Sequence, residues 1–139
     1  MLLLATMLPN ANAAPTTPNR SVLTSNNDCG DSSFVGETSG GSPLISDCQI
    51  IQKNIAGGGT WTTSAGAQRQ LVQFGTCAFG ITVISDGAAI VGNQDIIDLI
   101  NSSIQLFGSG RRVAAKGAMP CNALFGGPRL TVDWELRTN

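Results

Sequence analysis

Four cysteines, Cys29, Cys48, Cys77 and Cys121, constrain this chain more than any other feature. Their number is even and their separations are long. No C-x-x-C pair occurs and the chain has no histidine, so the spacing offers no zinc site. What the thiols do depends on compartment. The N-terminus reads MLLLATML, and Ala11-Asn12-Ala13 then gives a small-x-small pattern before Ala14. Residues 1–13 therefore read as the back half of a secretory signal, shortened at its start because the first charge is Arg20. In a secreted chain four cysteines read as two disulfides. Each is expected to stabilise the fold by about 3–4 kcal/mol in the loop-entropy account.

The rest of the composition mainly excludes. A length of 139 residues is one modest domain. Lys and Arg number 8 against 9 acidic residues, so no basic field exists to hold phosphates and no nucleic acid is expected as partner. The absence of histidine removes the commonest general base and transition-metal ligand. The glycines of Ile55–Trp61 lack the strand-then-helix setting of a nucleotide loop, and no G-x-x-x-x-G-K-[ST] occurs. No cofactor and no metal are expected. No stretch approaches the roughly 20 apolar residues of a membrane span.

Residues 14–27, APTTPNRSVLTSNN, read as a flexible arm with a sequon at Asn19. The domain proper is expected over 28–139. In SPLISDCQIIQKNI, Ser42 is a candidate cap and Pro43 suits a first turn, while Leu44, Cys48, Ile51 and Ile55 form one apolar helical face. A short strand is expected around Trp61. Gln68–Ile84 reads as β-rich, a central strand or a bent pair, with Leu71, Gln73, Gly75, Cys77, Phe79 and Ile81 on one face. AIVG returns as a strand. A helix follows, with Asn93 as N-cap, Asp95 in the first turn where the helix dipole favours an anion, and a stripe of Ile96, Ile100, Ile104 and Phe107. Asn101-Ser102-Ser103 is a second sequon, placed inside that helix. Arg111, Arg112 and Lys116 form the one basic cluster, expected on a strand. Arg129–Leu136 alternates as a half-buried strand, with Leu130, Val132, Trp134 and Leu136 inward. The expected order is α–β–β–β–α–β–β. It describes an α+β domain, a two-layer sandwich of a mainly antiparallel sheet with helices on one face, stapled by disulfides.

Two carboxylate pairs suit general acid–base work in principle: Asp95/Asp98 and Asp133/Glu135. Capping chemistry explains the first, and the solvent face of an amphipathic strand explains the second. Trp61 and Trp134 suit carbohydrate platforms, although a tryptophan on an apolar stripe is more often core.

The ordered segments CGDSSF (29–34), SPLISDCQIIQKNI (42–55), GGGTW (57–61), LVQFGTCAFGI (71–81), VGNQDIIDLINSSIQLFG (91–108), RVAAKGAMPC (112–121) and VDWELRT (132–138) resemble the fungal extracellular protein 2 effectors, the necrosis-inducing factor domain. The resemblance implies a secreted, disulfide-bonded effector and virulence factor without enzymatic chemistry. It implies a target on host or competitor cells, a membrane or channel protein among the candidates. It further implies a fold similar to killer toxins of the killer protein 4 type, which use an exposed basic residue. Arg111, Arg112 and Lys116 are the candidates by chemistry, and no motif carries that role over. Similar domains occur joined to chitinases, so a cell-wall glycan is the alternative partner. Of the three disulfide connectivities, Cys48–Cys77 with Cys29–Cys121 is favoured, because Cys48 faces the core from a helix and Cys77 shares a strand with inward Phe79.

Overall fold

The computed structural model describes residues 23–139. The expected signal at 1–13, the arm as far as residue 22 and the sequon at Asn19 lie outside the described residues. In chain order the elements are β1 (Val35–Gly36), α1 (Ile45–Asn54), β2 (Thr60–Ser64), β3 (Arg69–Phe74), β4 (Cys77–Val83), β5 (Ala88–Gly92), α2 (Asn93–Phe107), β6 (Ala115–Cys121) and β7 (Leu130–Thr138). Five strands make an antiparallel sheet in the order β1-β6-β7-β4-β3, and β2 pairs with β5 as a separate ribbon. The fold is α+β with a mainly antiparallel sheet.

β7 lies at the centre of the sheet, although it comes last in the chain. Its inward residues Val132, Trp134 and Leu136 sit opposite Val83, Ile81 and Phe79 of β4 and opposite Met119, Gly117 and Ala115 of β6. Paired residues share a face, so one apolar side forms across three strands. Trp134 stacks on Phe79 at 6.0 Å and meets Phe34 edge-on at 5.6 Å. The helices cover this side with Cys48, Ile51, Ile96, Leu99 and Ile100.

Two disulfides fasten the layers. Cys48 on α1 joins Cys77 on β4, and Cys29 joins Cys121 at the end of β6, with Cα separations of 5.3 Å and 4.0 Å.

Four local expectations are corrected. Of the two readings of Gln68–Ile84, the bent pair holds and the single central strand does not: the segment is a hairpin in which the chain reverses at Gly75 (φ 54°) and Thr76, and the ladder slips between Gln70 and Val72. The single face drawn from Leu71 to Ile81 therefore does not exist. Ser42 caps no helix; its hydroxyl accepts the Ser39 N–H, and α1 starts three residues later. A two-residue strand, β1, precedes α1, pairing with β6. Finally, residues 24–26 of the expected arm are tied down. Asn93 donates to Thr24 O, the Asn26 N–H donates to Asn93 Oδ1, and Ser25 donates to Gln94. Their polar composition resembles a linker's, but its groups are matched by the N-terminus of α2.

Candidate functional site

The residues singled out by chemistry do not converge on one point. Asn93 is the first residue of α2, and Gly92 holds the N-cap position with extended backbone. Asn93 is fully buried, and its amide donates to Thr24 O and Ile55 O at 2.8 Å each while its oxygen accepts the Asn26 N–H. It acts as a clamp between three segments rather than as a cap. Asp95 does the capping: its carboxylate accepts the N–H of Gly92 at 2.8 Å. It also accepts the N–H groups of Asp28 and Cys29. Burial pushes this carboxyl up from its ordinary range, against the pull of its three donors. Asp98 is exposed and accepts from Gln94 on the next turn back. The two aspartates thus have separate partners.

Arg111, Arg112 and Lys116 are also dispersed. Only Lys116 lies on β6, where it pairs with Glu37 at 3.3 Å. Arg112 is held by the Ser42 carbonyl at 2.6 Å. The two arginines precede the strand because the chain must first reverse after α2. Ser109 and Arg112 exchange both backbone hydrogen bonds at 2.9 Å across a two-residue turn whose central residues are Gly110 (φ 55°) and Arg111 (φ 66°). Two positive φ values in succession make this a type I′ turn. Among the described residues Arg111 is the one non-glycine with positive φ, a conformation that costs an L-residue about 1–2 kcal/mol. Its carbonyl accepts the Ile45 N–H at 2.9 Å, so the turn also fixes the start of α1. Its side chain is exposed and has no hydrogen bond or ion pair among the described residues. Beside it lies a depression of about 610 Å³ lined by Gly36, Thr38, Gly40, Phe107, Ser109 and Arg112.

The outward face of the sheet is polar. A groove of about 400 Å³ runs across β6, β7 and β4, lined by Ser33, Gln68, Thr82, Lys116, Asp133 and Glu135 among others. The neighbours Ala78 and Gly80 are small and buried, which keeps this face shallow. Gln68 arches over Gly80 and donates to Glu135 at 3.0 Å. Asp133 is exposed and Glu135 half-buried. Trp134 points the other way: it is 2% exposed and its indole N–H donates to Ser32 at 2.7 Å, so it offers no platform to a sugar. Trp61 is half-buried against the core.

A sequence profile described as "Pathogen effector; putative necrosis-inducing factor" matches residues 28–121. The chain belongs to this effector family. The match opens at the Asp28–Cys29 segment held by Asp95 and closes on Cys121, the partner of Cys29. Two curated relatives from Penicillium expansum are similar to the effector domain. One, "Probable chitinase LysM18", is 37% identical over 112 residues, covering 78% of this chain. The other, "Secreted chitinase LysM12", is 37% identical over 125 residues, covering 81%. The chain spans 8% of the length of each.

The sequence pattern gave no sign of the groove or of the Asn93 clamp. Each is assembled from residues far apart in the chain, Ser33 and Glu135 in one case and Thr24, Ile55 and Asn93 in the other. The strained arginine had one local signal, the Ser-Gly-Arg-Arg run between a helix and a strand.

Proposed function

We propose that this domain is a secreted, toxin-like effector that acts by binding a molecule on host or competitor cells, with Arg111 as a contact and without chemistry of its own. The observation that carries the reading is the state of Arg111. It is an exposed cation without a partner among the described residues, on a backbone conformation that costs free energy, and strain of this kind clusters at functional positions. The acidic residues fit a supporting role, since Asp95 is engaged by three backbone N–H groups. Membership of the effector family and a relative named a secreted chitinase support an extracellular setting.

The test is leaf infiltration and exposure of competing fungi to purified disulfide-bonded protein, wild type against Arg111→Gly. Glycine takes the same backbone conformation without strain, so the variant folds. Loss of cell death or of host recognition in a folded variant supports the reading. Full activity in Arg111→Gly rules Arg111 out as the contact.

A second reading is favoured by the polar groove on the open sheet face together with relatives named chitinases: binding of a cell-wall glycan by Gln68, Asp133 and Glu135. A pull-down on chitin, glucan and cellulose separates the two. Retention on one polymer, lost in Asp133→Ala with Glu135→Ala, selects the glycan. Passage through all three leaves the first reading alone.

A further inference from the structure

The end of the molecule formed by the β4–β5 and β6–β7 loops carries an apolar projection that neither reading uses. Phe125 is 92% exposed, and Leu124 and Ile84 are 41% and 56% exposed. The loops belong together: Leu124 N–H bonds Ala88 O at 2.8 Å, Ala89 bridges Ala123, and Ile84 N–H bonds Thr131 O at 3.0 Å. Under Phe125 lies a mostly apolar hollow of about 290 Å³ lined by Gly87, Ala88, Ala123, Pro128 and Leu130, with Asp86 as its one charged residue. A phenylalanine this exposed at a loop tip is not a solvation choice; folding gains almost nothing from it.

We propose that this tip inserts into the interfacial region of a lipid bilayer. Three features favour a lipid occupant. The tip projects, and Gly126 (φ 82°) and Gly127 (φ 88°) turn the chain back directly behind Phe125, so the ring leads. Part of the tip's backbone is satisfied from within: Leu124 N–H bonds Ala88 O, Gly126 N–H bonds Ala123 O, and position 128 is proline, with no N–H. Backbone entering a low-dielectric layer needs such internal pairing. The surroundings are nearly free of charge. In residues 65–67, 84–87 and 122–129, which meet at this end, Asp86 and Arg129 are the ionisable groups, and they oppose each other in sign. Arg129 sits at the base of the loop, its Nε donating to Asn122 at 3.2 Å, at the depth where headgroups would lie. Two or three interfacial side chains give weak, reversible attachment of the kind a single apolar anchor gives.

The balance of charge makes the binding insensitive to anionic lipid and to salt. The experiment is flotation of the purified protein with phosphatidylcholine vesicles, with and without phosphatidylserine, at low and high salt. Analytical ultracentrifugation without vesicles accompanies it. Wild type floats with both compositions at both salt levels, and Phe125→Ser lowers the partition coefficient about tenfold with an unchanged melting temperature. Leu124→Ser gives a smaller loss in the same direction. Three outcomes overturn the proposal: no flotation of wild type, flotation abolished by salt, or flotation unchanged in Phe125→Ser. A dimer that dissociates in Phe125→Ser, without flotation, assigns the tip to a second copy of the chain.

Discussion

Asp47 on α1 accepts both the backbone N–H and the hydroxyl of Thr76 at 2.8 Å, locking the first turn of that helix to the hairpin turn between β3 and β4. Thr76 completes the link, since its hydroxyl oxygen accepts the Leu44 N–H at 2.9 Å. The backbone bond first, and then the hydroxyl, holds the Asp47 carboxyl below its ordinary range. A carboxyl lowered in the folded state binds protons less readily there than in the unfolded chain. Its contribution is therefore present above about pH 4 and is lost as pH falls through the folded value. Urea titrations of wild type and Asp47→Asn across pH 2 to 6 should diverge above about pH 4 and converge at the acid end. Parallel curves throughout would show that the link carries no charge-dependent stability.

Asp95 and Asp98 are three residues apart and should behave as unlike residues. Asp95→Ala leaves three N–H groups without their acceptor and should cost about 2–4 kcal/mol. Asp98→Asn, on the exposed side, should stay within about 0.5 kcal/mol of wild type. Denaturant midpoints of the two variants, measured together, check the contrast. Equal midpoints would remove Asp95 from its structural role.

Arg111→Gly should raise stability by about 0.5–1 kcal/mol, because glycine adopts a φ of 66° at no steric cost. Arg111→Ala keeps the strain and should leave the melting temperature close to wild type. Calorimetry on the pair separates relief of strain from loss of charge; a gain in both variants would attribute the effect to charge.

Ser103 is fully buried and its hydroxyl has no hydrogen-bond partner among the described residues. Ser103→Ala should therefore be neutral or stabilising by up to about 1 kcal/mol. A clear loss in chemical denaturation of unglycosylated protein would mean that the hydroxyl is satisfied in solution. The same substitution removes the Asn101 sequon, whose asparagine is exposed on α2 and accepts from Gln52 at 3.3 Å.

The legible parts of the fold are those whose period repeats long enough. α2 runs for fifteen residues, and its apolar positions recur every three or four. β7 alternates cleanly over nine residues, so Trp134 fell on the inward side of the pattern. The hairpin at Gly75 was ambiguous for the opposite reason. In β4 all but one residue is buried, on both faces, and a segment with two apolar faces has no period to mark where it reverses. β1 is two residues long and exists because β6 offers it an edge. Asn93 was misread because an asparagine ahead of an apolar helix is the usual signature of a cap, whereas its real partners lie 38 to 69 residues away in the chain.

The Cys29–Cys121 bridge joins residues 92 positions apart and encloses both helices and the smaller Cys48–Cys77 loop, but the central strand β7 lies beyond it. A protease that cuts between these two cysteines leaves its products covalently joined, and the nick is invisible until the protein is reduced. A cut in residues 122–129 is different in kind: it frees the strand around which the sheet is built, leaving it held by hydrogen bonds and packing alone. In an extracellular fluid rich in proteases, the durability of this domain is therefore decided at the one loop that also carries Phe125.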